Sequence, residues 1–386
     1  MLFFVSVILL LLTLTGTLQL LFLTVSSLRK RRPLEGSANE AAAIRLAVVI
    51  PAHNEEAGIA NTLESFLACD EPLSSTDIYV VADNCDDDTA DIARRYNVSV
   101  IERRNEEERG KGYALNFAFT QLLETNNYDA FVVVDADSRV SKNFTQEFRK
   151  VFAGGADAAQ ASNLVDQHET NTRTRLMNIA FWANNVVRLL GRQNAGLSVG
   201  IMGNGFGLST STLREVPYES YSIVEDLEYH LSLIDTGRKS VFAKDAAVYS
   251  VSPASASEAE SQRVRWEGGR FGVVKENVPK LAKKVAKGNL SLTEPLADLL
   301  LLPLAFHVTL LLLTLILGSG FTFGYALFGL LVVLLHICVA SYFGGCDRHD
   351  FFALCKAPFY IMWKLSKVGK IFKASLKNAS WQRTKR

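Results

Sequence analysis

Apolar and polar positions over residues 45–290 follow two alternating rhythms. Short β-branched runs, "LAVVI" (46–50), "IYVVA" (78–82), "VSVIE" (98–102) and "AFVVV" (130–134), sit between polar turns and predict strands. Between them, "NEEAGIANTLESFLAC" (54–69), "DTADIARRY" (88–96) and "KGYALNFAFTQLLE" (111–124) carry apolar residues at helical spacing. Runs that are apolar on both faces mark central strands of a parallel sheet. The β-α-β-α order therefore predicts an α/β domain, its sheet mostly parallel and flanked by helices on both faces. No internal repeat is visible.

A second pattern brackets the first. Leu2–Val25, Leu296–Leu317 and Phe321–Phe343 are apolar stretches near the roughly 20 residues that cross a bilayer. The first lacks a basic start and ends at Arg29-Lys30-Arg31-Arg32, which reads as a retained anchor with its N-terminus outside rather than a cleaved leader. Asp298 stands near the start of the second stretch, and His307 lies within it, as a proton relay or as a polar residue packed between helices. "FFALCKAPFYIMW" is too short to span. Beyond it, Lys364, Lys367, Lys370, Lys373 and Lys377 alternate with Leu365, Val368, Phe372 and Leu376, a pattern for a helix on an anionic lipid face or for a solvated basic tail. The organisation expected is an anchor (1–28), a basic linker (29–44), an α/β domain (45–290), two spans (296–343) and an interfacial tail (351–386). Basic flanks and even parity place the α/β domain and the tail in the cytoplasm.

Net charge changes little in this picture. At +1 over 386 residues it gives no nucleic-acid signal. The five cysteines form no C-x-x-C pair, which argues against a zinc site or disulfide scaffold and suits a reducing compartment. No G-x-G-x-x-G follows the first strand, "RGKGYALN" is not a P-loop, and "DNCDDDT" lacks the glycine and terminal glutamate of a calcium loop.

The strand tips carry the candidate chemistry. "PAHNEE" follows the first strand, Asp83 ends the second, and Asp135-Ala136-Asp137 follows the fourth. Parallel strands align their carboxyl ends on one edge, where ligands of open α/β sheets bind. Two carboxylates one residue apart repel unless a cation or solvent lies between them; Asp-x-Asp alone is equally a solvated turn. Glu225 and Asp226 open an amphipathic helix, a position any helix N-terminus favours. Gln262, Arg265 and Trp266 share one helix face, suited to phosphate clamping and sugar stacking, though a surface ion pair and a core anchor are the bland alternatives. "SPASASEAE" (252–260) reads as a small-residue loop.

Taken together, "VVIPAHNEE", "VVADNCDDDTA", "RGKGYALN", "DAD", "GNGFG", "VED" and "QRVRW" resemble, in that order, the membrane-bound inverting glycosyltransferases of family 2, the group of cellulose, chitin and hyaluronan synthases. The likeness covers about residues 45–275. It implies a GT-A fold and a nucleoside-diphosphate sugar donor, usually a UDP-sugar. By that resemblance Ala52, Glu55 and Asp83 hold the uridine end and Lys111 approaches the phosphates. Asp135 and Asp137 bind the sugar diphosphate and Mg2+ or Mn2+. Asp226 is the general base, with Glu225 beside it on the acceptor side. Gln262 and Arg265 meet the diphosphate, Trp266 meets the acceptor, and Gly203, Asn204 and Gly205 form the acceptor-side loop.

The implied acceptor is a saccharide or a lipid-linked acceptor, and the implied partners are membrane lipids and polysaccharide export or assembly proteins. Val224 stands where cellulose synthases usually have Thr, and three spans are few for a polymer channel. Ceramide glucosyltransferases share the motif order, so single-sugar transfer to a lipid stands as an alternative. A non-catalytic nucleotide-sugar-binding subunit is a further one, disfavoured because a sensor needs neither Asp226 nor Gln262-x-x-Arg265-Trp266.

Overall fold

The computed structural model describes residues 2–30, 34–166, 171–251 and 256–370, without the side chains of 256–259, 261–263 and 265. The chain forms two units. One comprises Met1–Lys30, Gln167–Leu197 and Ala259–Ala379; the other comprises Arg31–Asp166 and Ser198–Glu258. Among the described residues the second unit is thus built from two segments, where the sequence pattern suggests one continuous domain over 45–290.

The second unit holds an eight-stranded sheet. Its strands are β1 (Leu46–Ala52), β2 (Ile78–Asp83), β3 (Ser99–Arg103), β4 (Ala130–Val133), β5 (Ser138–Val140), β6 (Ala158–Val165), β7 (Phe206–Ser209) and β8 (Ser240–Ser250). The order is β3-β2-β1-β4-β7-β6-β8-β5. The β1–β2, β1–β4, β2–β3 and β6–β8 pairs are parallel. The β4–β7, β6–β7 and β5–β8 pairs are antiparallel. The four strands predicted from the pattern are therefore one parallel half of a mixed sheet.

Successive residues of β1 and β4 feed two cores, because strand side chains alternate between faces. Val48, Ile50, Val132 and Val134 pack with Ile59, Leu63, Phe66, Phe144 and Phe148 on one face. Ala47, Val49, Phe131 and Val133 pack with Leu115, Phe119, Tyr229 and Leu233 on the other. Each such large side chain contributes about 1.5–3 kcal/mol by burial, which is why these strands show no polar alternation.

Helix bounds differ from the pattern in one place that matters. The helix expected over 54–69 starts only at Ile59 (Ile59–Leu67). Glu55 and Glu56 instead lie in a turn, where the Glu55 carbonyl accepts from the Gly58 and Ile59 amides, both at 3.0 Å. The Lys111–Glu124 helix has the expected bounds. In the linker, Ser37 and Glu40 form a reciprocal capping box for Ala38–Ala43.

In the first unit, Leu2–Ser27 and Phe321–Phe343 are long and apolar enough to cross a membrane. The continuous span expected over Leu296–Leu317 is not continuous: Leu290–Leu300 and Leu304–Leu317 meet at a 76° bend. Pro303 lacks an amide donor and biases the preceding residue away from helix, and Leu301 is already extended at φ −68, ψ 113. The 14 residues of Leu304–Leu317 rise about 21 Å, short of the roughly 30 Å hydrocarbon core.

Polar residues of this unit are paired among themselves. His307 Nε2 lies 3.1 Å from Thr17 Oγ1, and the Tyr325 hydroxyl joins Thr17 and Thr13 at 3.1 and 2.9 Å. His307 is thus a packed interhelical polar group. Asp298 is the partner of Arg188 and Arg192. "FFALCKAPFYIMW" divides between Arg348–Leu354 and Ala357–Leu365, neither long enough to span. Lys364 pairs with Glu267 at 2.5 Å, and Lys367 and Lys370 pair with Glu260 at 2.9 and 2.7 Å. These lysines therefore have carboxylate partners within the chain; residues 371–386 of the basic tail lie outside the described residues.

Candidate active site

The site is built in the sheet unit, on the edge where β1, β2 and β4 end. Because β1 and β4 run parallel, Ala52 and Asp135 emerge on the same edge, with Asp83 beside them on β2. β7 reaches this edge by the opposite logic. It runs antiparallel to β4, with Phe206 opposite Val133, so its beginning lies at the β4 tip. The turn Gly203-Asn204-Gly205 that leads into it is thereby delivered beside Asp135.

That turn needs its glycines. Gly203 and Gly205 have φ of +72 and +68, a region costly for residues with a Cβ. A Cβ on Gly203 would stand 3.1 Å from Asp226 Oδ2, and one on Gly205 would stand 2.5 Å from Val248 Cγ1. Between them Asn204 is buried, at 4% exposure. Its Oδ1 accepts from the Asp135 amide at 3.0 Å, and its Nδ2 donates to Ser138 Oγ at 2.8 Å and Ser250 Oγ at 3.1 Å. Gln160, buried in β6, donates from Nε2 to the Asn204 carbonyl at 2.8 Å and accepts from the Met202 amide at 2.8 Å. Asn204 thus fixes the start of Asp135-x-Asp137, with its amide group committed within the protein.

Asp137 is placed by the other wall. The Thr62 hydroxyl donates to the Ala136 carbonyl at 2.8 Å. A Cβ on Gly58 would come within 3.4 Å of the Asp137 Cα, so the turn before Ile59–Leu67 sits close against it. Ser138 Oγ donates to Asp137 Oδ1 at 3.3 Å.

Lys111, the first residue of its helix, donates from Nζ to Asp135 Oδ1 and to the Gly203 carbonyl. Burial works against its charge, but Asp135, Glu225 and Asp226 outweigh that and hold its pKa above the ordinary lysine value. Glu225 and Asp226 open the Glu225–Asp235 helix. Glu225 is buried, and Asp226 half-buried. Burial first, and repulsion within the acidic group second, push the Glu225 carboxyl up; burial first pushes Asp226 up, against its bond from the Leu227 amide and the pull of Lys111. The Tyr218 hydroxyl, 2% exposed, makes no hydrogen bond among the described residues, and burial with Glu225 and Asp226 disfavours its ionisation.

At the β2 tip, Asp83 Oδ1 accepts from Arg103 Nη1 at 2.8 Å and from Asn84 Nδ2 at 3.1 Å. Arg103 also reaches Glu108 Oε2 at 3.0 Å. His53 Nδ1 donates to the Asp83 carbonyl at 2.7 Å. Ala52 is buried and offers backbone only, its carbonyl accepting from Cys85 Sγ at 3.5 Å. The Glu55 amide donates to Thr89 Oγ1 at 2.7 Å. Arg103, Asn84 and Gln160 escaped the sequence reading. The signal for Arg103 was present: it ends a strand adjacent to the one that ends in Asp83.

Ala52, Glu55, Asp83, Lys111, Asp135, Asp137, Gly203, Asn204, Gly205, Glu225 and Asp226 all belong to the sheet unit. Gln262, Arg265 and Trp266 lie in the other unit, on the Ala256–Ala286 helix, which starts inside the stretch expected to be a loop. Trp266 is exposed. The side chains of Gln262 and Arg265 lie outside the described residues.

Among the described residues no three His, Cys, Asp or Glu side chains gather as a ready-made metal cluster. Asp135 and Asp137 offer oxygen only. That donor set fits a hard divalent cation whose remaining ligands come from phosphate oxygens and water.

A mixed sheet of this order, with Asp-x-Asp after its fourth strand and an acidic helix start facing it through Lys111, defines a GT-A type domain. Residues 43–269 match the family described as "Glycosyltransferase like family 2". The chain belongs to that family. It is 26% identical over 242 residues to the protein named probable glycosyltransferase YdaM of Bacillus subtilis (strain 168), covering 60% of this chain and 56% of that one. It is 31% identical over 163 residues to the hyaluronan synthase of Streptococcus pyogenes serotype M1, covering 39% of this chain and 36% of that one. The matches thus span less than two thirds of either relative. Among solved structures, the mannosyltransferase PcManGT of Pyrobaculum calidifontis, in complex with GDP-Man and Mn2+, matches at TM-score 0.57 and 16% identity over 90% of this chain and all of that one, a likeness of fold.

Proposed function

We propose that this protein transfers a sugar from a nucleoside-diphosphate sugar, of UDP type, to a hydroxyl of a saccharide or lipid-linked acceptor, with inversion at the anomeric carbon. One observation carries the reading. Lys111 joins Asp135 to the Gly203 turn and shares its field with Glu225 and Asp226, so a phosphate grip and a candidate base form one charge cluster.

In this reading the nucleoside end lies by Asp83, whose carboxylate Arg103 orients, with Ala52 and Glu55 contributing from the β1 tip. Asp135 and Asp137 would hold Mg2+ or Mn2+, which neutralises charge on the diphosphate when bound. Lys111 and the amides at its helix start favour the same anionic group. Asp226 takes the proton of the acceptor hydroxyl as that oxygen bonds to the anomeric carbon. The bond from that carbon to the diphosphate oxygen breaks, and the nucleoside diphosphate leaves. An α-linked donor thus gives a β-linkage. Its raised pKa suits Asp226 to the base role near neutral pH. Gln262 and Arg265 are assigned to the diphosphate and Trp266 to the acceptor by family resemblance.

Leu2–Ser27 and Phe321–Phe343 are assigned as membrane spans, with the sheet unit in the cytoplasm, where nucleotide sugars are made. Capsule, exopolysaccharide or envelope polysaccharide synthesis is the context that the family resemblance implies. The test is transfer by the purified full chain from a panel of labelled UDP- and GDP-sugars, with product sizing. A ladder means polymer extension and one added sugar means single transfer. No product from any donor, with Mg2+ and Mn2+ supplied, overturns the reading.

A further inference from the structure

We infer that Lys111 is a resident counter-cation for Asp135, which a divalent metal must displace, and that it thereby links the donor grip to the Gly203 turn. The inference rests on the metal reading of Asp135 and Asp137 above, and concerns what the lysine does before the donor is in place.

The Lys111 ammonium donates to Asp135 Oδ1 and to the Gly203 carbonyl at once. These partners stand on different elements. Asp135 follows β4, and Gly203 begins the turn into β7. The lysine backbone is not free to follow its head group. Gly110 before it has φ of +130, and a Cβ on Gly112 after it would lie 1.9 Å from the Ser220 carbonyl oxygen, so the helix start is seated against that backbone. The four-carbon stem is what can move.

Asp135 is held from its other side as well, its amide donating to Asn204 Oδ1 at 3.0 Å. A metal arriving at Asp135 therefore meets a residue fixed at its backbone, with a positive charge already on its carboxylate. Two cations on one carboxylate repel, so the metal binds at the expense of the lysine contact. The displaced ammonium has the diphosphate, Glu225 and Asp226 as remaining anions. Leaving Asp135 also withdraws it from the Gly203 carbonyl, and a Cβ on Gly203 would lie only 3.1 Å from Asp226 Oδ2. Metal occupancy on the donor side is thus communicated to the turn beside the candidate base. Lys111 is in this respect a positioning residue, acting through Asp135 and Gly203.

The test is Mn2+ titration of the purified full chain, followed by electron paramagnetic resonance of free Mn2+, with and without UDP. Lys111→Met should bind Mn2+ alone more tightly by about tenfold or more, because one opposing unit charge is gone. Lys111→Arg, which keeps the charge, should stay near wild type. In the wild-type protein, acetylation of Lys111 read by mass spectrometry should quicken on adding Mn2+ and slow again on adding UDP. Unchanged or weaker Mn2+ binding in a folded Lys111→Met overturns the inference. So does Lys111 acetylation that ignores Mn2+, a measurement that needs no variant. Failure of the wild type to bind Mn2+ even with UDP overturns the metal reading itself, and the inference with it.

Discussion

Asp83 and Arg103 form an ion pair at 2.8 Å with side chains 8% and 6% exposed. Breaking such a pair leaves a buried charge without its partner, at a cost of about 3–5 kcal/mol. Arg103→Met should therefore lower the thermal unfolding midpoint markedly and weaken nucleotide binding. The double variant Asp83→Asn, Arg103→Met should recover part of the stability but not the binding. Unfolding curves and UDP titrations of the three proteins check this.

Asp226→Asn keeps the shape of the side chain and removes its basicity. UDP binding should stay within a few-fold of wild type while transfer falls by roughly 10² or more. Single-turnover rates at saturating donor measure the difference. Near-normal turnover would take Asp226 out of the base role.

The pH dependence follows from the same carboxyl. Burial pushes Asp226 up from 3.8 to about 6. A base must be ionised, so the transfer rate should fall as pH drops through about 6, and the residual rate of Asp226→Asn should lack that limb. Stability runs the other way. A folded-state pKa above the unfolded one favours the protonated form, so this contribution is fully present below about 4 and lost as pH rises through about 6. Unfolding midpoints between pH 4 and 7 should thus fall less steeply in Asp226→Asn than in wild type.

Asn204→Ala removes the acceptor for the Asp135 amide and the donor to Ser138 and Ser250. Buried groups left unpaired cost about 1–3 kcal/mol. The variant should lose stability of that order and, because Asp135 is no longer fixed, lose metal-dependent nucleotide affinity. Nucleotide binding measured with and without Mn2+ separates the two effects.

The bend at Pro303 makes topology decidable by two fusions. If Leu290–Leu317 crosses as a broken span, a reporter after Arg386 should be cytoplasmic and one at Gly318 external. If that segment re-enters on one side, both results reverse. Cys85 is unsuitable for thiol labelling because it is buried; Cys355 is exposed.

The parallel half of the sheet was legible because β1, β2 and β4 are buried on both faces and read as unbroken apolar runs. Asp135, Asp137, Glu225 and Asp226 were legible as acids at element ends. The antiparallel strand β7 was not, since "FGLS" is short and bears no periodic signal. Its position depends on long-range pairing with β4 and β6. For the same reason the inward role of Asn204 and the Gln160 contact escaped notice, as both exist only after residues far apart in sequence meet. The break after Leu300 carried a local signal in Pro303, outweighed in a hydropathy reading by the leucines around it.

The strand order also constrains the time course of assembly. β1 to β4 are neighbours in the sheet and are complete once residue 133 has been synthesised. β5 and β6 are made next, but β5 pairs with β8, and β6 pairs with β7 and β8. Between β6 and β7 the ribosome emits residues 167–197, which belong to the helical unit. β6 must therefore remain an unpaired nascent strand through synthesis of that whole insertion. Long-range pairing of this kind is slow and exposes strand edges to misassembly. The vulnerable species in biosynthesis is thus a half-sheet ending at β4, which chaperones would have to shield until Ser250 has left the exit tunnel.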